Sequence, residues 1–165
     1  MNKKEKELLE LLTQNARYSV EDLAKMLDKK TTEVAKMIDS LESRGIILQY
    51  TTVLNDKKLM DSQKMVKAVI EVRVRPEKKS GFKAIADRIS KYSNVVEHYL
   101  ISGNYDFLVI VEGKNMFEVS SFVSNKLATI DHVLSTRTHF IMMKYKEKGI
   151  LVDSESLQDR LAVSA

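Results

Sequence analysis

The stretch that most constrains what this chain can fold into is Ser19 to Asn55, SVEDLAKMLDKKTTEVAKMIDSLESRGIILQYTTVLN. Ser19 is a good N-cap, and Asp22 stands three residues on, in the capping-box position. Leu23, Ala24 and Leu27 then make one apolar face, which Asp28-Lys29-Lys30 breaks. In the next helix Val34, Ile38 and Leu41 recur at intervals of four and three, so they share a face, with Met37 at its edge. Gly45 follows Arg44, a stop glycine after a basic last turn. The β-branched and aromatic run after it reads as a strand. An earlier helix, Lys3 to Gln14, offers Leu8, Leu9, Leu11 and Leu12 to the same small core. Helix, four-residue turn, helix, glycine stop and strand is the layout of a winged helix-turn-helix, whose second helix is shaped to enter a DNA major groove.

The outward face of that second helix, opposite Val34, carries Thr32, Glu33, Lys36, Ser40 and Ser43, one cation and one anion. DNA affinity depends heavily on neutralising phosphates with Lys and Arg. Lys29, Lys30, Lys36 and Arg44 are therefore expected to position the domain, with Thr31 at the helix start. Thr32, Lys36 and Ser40 are the candidates for base edges. The charge balance sets a limit on this reading. Met1 to Met60 holds eleven Lys/Arg against ten Asp/Glu, so the part expected to read DNA is nearly neutral, although the whole chain carries +4.

Beyond Asp56 to Lys64, a polar and charged hinge, the period changes. Val66, Ala68, Ile70, Val72 and Val74 alternate with more polar neighbours, a strand that stops at Pro76. Phe82, Ile85, Ala86 and Ile89 follow at helical spacing. Val95 to Ser102 reads as a strand, Gly103-Asn104 as a two-residue hairpin turn, and Tyr105 to Glu112 as the return strand. Asn115 with Glu118 caps a helix carrying Met116, Val119, Val123 and Leu127. Val133 to Tyr145 is a long last strand. The order βαββαβ is the ferredoxin-like split βαβ, an antiparallel sheet with both helices on one face. The fold class expected is thus α+β, with a winged helix-turn-helix at 1–50, a hinge strand and linker at 51–64, a ferredoxin-like domain at 65–146 and a tail at 147–165. Within the tail, Ile150 to Val152 is expected to add to a sheet edge and the remainder to be mobile. Phe107 to Val111 is apolar on both faces of its strand, and helices cover only one face. Sheet-to-sheet association of two subunits is the expected remedy.

Composition excludes several classes. With 165 residues, 44% of them hydrophobic and 30% charged, the chain has the make-up of a globular protein of one or two domains. No apolar run approaches the ~20 residues that span a bilayer, and the N-terminus is a charged helix rather than a signal peptide. The absence of cysteine removes disulfides and thiolate metal sites and points to the cytoplasm. His98, His132 and His139 stand on separate elements without metal-ligand spacing, and there is no P-loop, GxGxxG or nucleophile elbow. Neither a metal nor a cofactor is expected, and no catalytic centre.

Read in order, the pieces resemble the Lrp/AsnC (feast/famine) regulators of bacteria and archaea. They are Glu7-Leu8-Leu9-Glu10-Leu11-Leu12, Gln14-Asn15-Ala16-Arg17, Asp22-Leu23-Ala24 and Leu41-Glu42-Ser43-Arg44-Gly45-Ile46-Ile47. Tyr50, Leu54-Asn55, Ser102-Gly103-Asn104-Tyr105-Asp106-Phe107 and Thr136-Arg137-Thr138 continue the series to about Lys146. The resemblance implies a transcription factor that binds double-stranded DNA. Its C-terminal domain would dimerise, build tetramers or octamers, and bind an amino acid or similar small molecule. Two departures stand out. The family's turn usually reads Gly-Leu-Ser where this chain has Asp28-Lys29-Lys30, and its second helix usually carries arginine at the positions of Met37, Asp39 or Ser40. The resemblance also brings two alternatives: relatives that decarboxylate siroheme-type tetrapyrroles on the same plan, and a ligand-sensing oligomer that binds DNA weakly and acts through protein partners.

An amino-acid effector needs receivers for its carboxylate and its ammonium. Ser102-Gly103-Asn104 can offer backbone N–H groups to an anion, as turn nests do, and Asp106 can pair with an ammonium. The same residues equally suit an ordinary tight turn. The resemblance places this loop, Tyr105 included, near a sensing site between subunits, with Thr136 and Thr138 from the last strand close by.

Overall fold

The computed structural model describes residues 1–55, 58–59 and 64–152. The chain divides into two compact units, Met1–Leu54 and Asn55–Ala165.

The first unit is three helices: α1 (Lys3–Gln14), α2 (Val20–Leu27) and α3 (Thr31–Ser43). Each start has a chemical cause. Asn2 caps α1, accepting from the Glu5 N–H at 2.8 Å while the Glu5 carboxylate accepts from the Asn2 N–H at 2.7 Å. Ser19 caps α2, accepting from the Asp22 N–H at 3.1 Å. Leu8, Leu23, Ala24, Leu27, Val34 and Leu41 form the buried core, flanked by Leu9, Leu11, Leu12, Met37, Ile38 and Ile47. The turn between α2 and α3 is three residues, Asp28 to Lys30, one fewer than the sequence suggests. Asp28 takes the left-handed conformation, φ 51°, that a glycine takes at no cost. Aspartate is among the few side chains that tolerate it, which is how this turn closes without glycine. Gly45, φ +65°, ends α3, with the Ile46 N–H returning to the Leu41 carbonyl at 2.9 Å.

The expected wing strand is not formed. Among the described residues no strand lies between Gly45 and Val66. A strand needs a neighbour for its ladder, and the first unit contains no second strand to supply one. Leu48, Tyr50 and Leu54 are left exposed.

The second unit holds a four-stranded antiparallel sheet in the order β2-β3-β1-β4. Its strands are β1 (Val66–Val74), β2 (Val95–Leu100), β3 (Phe107–Gly113) and β4 (Val133–Phe140). The helices are α4 (Lys83–Ser90) and α5 (Met116–Phe122), the latter continued by a π-helical turn, Val123–Leu127. This is the split βαβ arrangement. Ala68, Ile70, Val72, Val109 and Val111 pack with Ile85, Ile89, Val119 and Leu127 in a fully buried layer. Asn115 caps α5 as expected, accepting from the Glu118 N–H at 2.8 Å.

Three expectations are corrected at the strand ends. β4 stops at Phe140 rather than Tyr145, because its partner β1 runs out: Phe140 pairs Ala68, and the Ile141 N–H reaches the Lys67 carbonyl as the last bond. The β2–β3 connection is a four-residue loop, Ser102 to Tyr105, closed by the Ile101 N–H on the Asp106 carbonyl at 2.9 Å. It is not a two-residue turn, because Asp106 bonds sideways to β1 as described below. Ile150-Leu151 does not join the main sheet. It forms β6 (Ile150–Leu151) and folds back on β5 (Lys146–Glu147) through Lys148 and Gly149, both at positive φ, the geometry of tight hairpins. The mobile remainder expected after Val152 falls on residues outside the described ones.

On the sheet face turned away from the helices, Leu108 and Ile110 of β3 lie beside Val69 of β1. Ile110 is only 8% exposed, Tyr99 stands at the rim, and Glu71 with Arg137 and His139 crosses β1 and β4. The apolar patch is therefore narrow and bordered by charge.

His98 faces the helix side, its ring edge-on to Phe107 with centroids 4.7 Å apart and Nδ1 2.9 Å from Ser90 Oγ. Its Nε2 is buried and has no hydrogen-bond partner among the described residues. Removal from water lowers its pKa below the usual histidine range. The linkage has a definite sign. The folded state resists the proton, so below the unfolded value near 6.5 the unfolded chain takes it up first and stability falls as pH drops, levelling off below the folded value. His98→Gln should flatten this part of the stability-against-pH curve below about pH 6.5, read by denaturant melts. A curve identical to that of the wild type would show that His98 does not titrate against folding.

Candidate DNA-reading helix and effector loop

In the first unit Thr31, Thr32 and Lys36 are exposed and Ser40 is half-buried, on the side of α3 away from Val34 and Leu41. The start of α3 is secured by its own acid. Glu33 accepts from the Lys30 N–H at 3.1 Å and pairs with Lys29 Nζ at 3.4 Å. The Lys30 N–H, and after it Lys29, hold the Glu33 carboxyl below the usual carboxylate range. Glu33 is thus committed to the helix start, and Lys36 stands as the cation in the middle of the outward face, three residues from the exposed Asp39. A cleft along the turn gathers Glu21, Lys25, Asp28, Lys29, Lys30 and Thr31. Lys25 belongs with the basic residues here. Its place opposite the Leu23–Leu27 face was the signal for it in the sequence.

Arg44 has a different position from the one expected. Its Nη1 donates to Glu5 Oε1 at 2.7 Å, and Glu5 is buried. The Asn2 N–H first, and then Arg44, lower the Glu5 pKa. Arg44 thus ties the end of α3 to the start of α1.

In the second unit the structure fastens the candidate loop, Ser102 to Asp106, onto β1. Asp106 Oδ2 accepts from the Val74 N–H at 2.8 Å, and the Asp106 N–H donates to the Val72 carbonyl at 3.1 Å. Arg73, exposed at the β-bulge next to Val74, donates through Nε at 3.2 Å and through Nη2 to the Asn104 carbonyl. Arg73 was not singled out in the sequence, where it is one of three charged residues on β1, with Lys67 and Glu71. Ser102, Gly103 and Asn104 are exposed and Tyr105 half-buried. Among the described residues the N–H groups of Ser102 to Tyr105 bond to no backbone acceptor. Thr136 and Thr138 pair with Val72 and Ile70, so they share the helix-side face. Within one chain they do not face the side of the sheet on which Arg73 holds Asn104.

A three-helix reading head and a separately folded split-βαβ unit with an open, polar loop define a two-part helix-turn-helix regulator. Comparison with known proteins agrees. The winged helix-turn-helix DNA-binding family matches residues 1–47, and the Lrp/AsnC ligand binding domain matches residues 67–151. The HTH-type transcriptional regulator YugG of Bacillus subtilis is 40% identical over 164 residues, 99% of this chain and 98% of that protein. The HTH-type transcriptional regulator LrpA of Pyrococcus horikoshii is 31% identical, covering 88% of this chain and 99% of its own. In fold, the chain is similar to the Neisseria meningitidis transcriptional regulator NMB0573, solved as an L-Met complex, with a TM-score of 0.69 at 22% identity, over 89% of this chain and 93% of that one. The chain belongs to the Lrp/AsnC family: it is a DNA-binding transcriptional regulator with a C-terminal ligand-binding domain. Among the described residues no helix is long and apolar enough to cross a membrane.

Proposed function

We propose that this regulator acts in the cytoplasm and changes its hold on DNA when an amino acid binds the loop Ser102 to Asp106. The observation that carries this reading is the loop itself, where N–H groups that meet no backbone acceptor among the described residues lie beside a carboxylate. The N–H run suits the effector's carboxylate, and Asp106 suits its ammonium. The L-Met complex of NMB0573 supports an amino acid as the class. Thr136 and Thr138 would complete the site from a neighbouring subunit, since within one chain they share the other face. The open sheet face around Leu108, Ile110 and Val69 is the contact for a homodimer, which builds on to a tetramer or octamer. No catalytic step belongs to this reading. On α3, Thr32, Lys36 and Ser40 meet base edges, while Lys25, Lys29, Lys30 and Thr31 meet phosphates.

Asp106→Asn tests the effector assignment. Asparagine is nearly isosteric and its amide oxygen can still accept from the Val74 N–H, so fold, oligomer and effector-free DNA binding should persist. The response should not. Loss of a charge-assisted hydrogen bond is worth about 1.5–3 kcal/mol, ten-fold or more in affinity. Calorimetry with whichever amino acid shifts the wild type most should show that loss. Equal affinities would leave Asp106 a purely structural partner of Val74.

A further inference from the structure

The reading head is nearly neutral, yet the chain is basic. The rest of the chain after Met60 holds sixteen Lys/Arg against thirteen Asp/Glu, and Glu77 to Lys91 alone carries five against two. The positive excess is therefore concentrated on one short stretch of the second unit, and the structure shows that stretch to be built rather than loose. Glu77 and Gly81 exchange two backbone hydrogen bonds, at 3.0 and 2.9 Å, closing a tight turn with Gly81 at φ +59°. Ser80 Oγ donates to the Glu77 carboxylate at 2.6 Å, and Arg88 of α4 pairs with the same carboxylate at 3.4 Å. The acid of the turn is consumed internally, and the turn is fastened to α4. Lys78 and Lys79 project from its tip into solvent. Along α4 follow Lys83, paired with Asp87 at 2.6 Å, and Arg88, and beyond them a cleft lined by Lys91, Tyr92, Lys126, Thr129 and Asp131, with Lys126 Nζ 5.9 Å from the Tyr92 ring.

We propose that this face is a second DNA-contacting surface, which holds backbone phosphates of the duplex flanking the site read by α3. Charge complementarity selects the occupant. The protein's partner is a polyanion, and the reading head supplies few cations of its own. A rigid turn presenting two adjacent lysines loses little entropy when each meets a phosphate, and phosphate contacts need no base sequence. Such contacts would give affinity and register on long DNA without adding specificity. This rests on the family's DNA binding and not on the effector reading.

The test uses the full-length protein and a binding site selected in vitro, presented alone in a duplex of about 20 base pairs and centred in one of about 60. Affinities are measured by anisotropy across a salt series. Each phosphate neutralised contributes about 0.9 to the slope of log K against log salt. K78S/K79S should lower that slope by about 1.8 for each chain bound to the long duplex, with a loss of ten-fold or more at physiological salt, and leave the short duplex unchanged. K146S/K148S, the same charge change on the exposed β5–β6 hairpin, should leave both unchanged. The proposal is overturned by a wild-type slope for K78S/K79S on the long duplex, by an equal loss on the short one, or by the same loss in the hairpin control. A smaller oligomer by light scattering with unchanged slope would also overturn it, making this face a contact between copies of the chain.

Discussion

Lys36→Glu should all but abolish binding to a selected DNA site. Lys36 is exposed at the middle of the outward face of α3, and its neighbours there, Thr32, Asp39, Ser40 and Ser43, supply no other cation. Lys29 is partly engaged by Glu33, and Arg44 is drawn to Glu5. The face therefore depends on one lysine to an unusual degree. Lys36→Ala should cost about 1–3 kcal/mol, as loss of a single base or phosphate contact does. Glutamate loses the same contact and adds a repelled charge against the phosphate array, so the expected loss is about a thousand-fold or more. Because the side chain points to solvent, circular dichroism melts of both variants should match the wild type. Wild-type affinity in both would show that another surface reads the DNA.

The second large effect is on stability. Phe107→Ala should destabilise the second unit by about 3–5 kcal/mol, the usual cost of removing a buried aromatic ring. Phe107 is 1% exposed, opens β3, and meets Phe82 edge-on at 5.8 Å and His98 at 4.7 Å. It follows Asp106 directly, so its ring anchors the strand that carries the Ser102 to Asp106 loop. Denaturant melts should show an early transition for this unit, while the first unit, whose core is separate, keeps its own. A loss under about 1 kcal/mol would mean that the ring packs less closely than its burial implies.

Much of this architecture could be read from periodicity. Val66 to Val74 alternates because one face of β1 lies on helices, α1 runs from Lys3 to Gln14 as read, and α5 starts at its Asn115 cap. What periodicity could not show was anything set by partners distant in sequence. Arg44 looked like a phosphate ligand because Glu5, 39 residues earlier, is invisible to local spacing. Gly103-Asn104 looked like a two-residue turn, but Asp106 bonds across to Val74 and widens the loop. The run after Gly45 has strand composition without a strand, since composition does not provide a ladder partner. Asp28 filled a glycine's place, and only the backbone angle revealed it.

The central claim, a DNA-binding regulator tuned by an amino acid, is tested most directly by one titration. Wild-type protein is titrated onto a selected DNA site by fluorescence anisotropy, with each of the common amino acids present in turn and with an unrelated duplex of equal length as reference. The expected result is preference for the selected site over the unrelated duplex, and a shift in that affinity with at least one amino acid. Equal affinity for both duplexes, or an affinity that no amino acid moves, would contradict it.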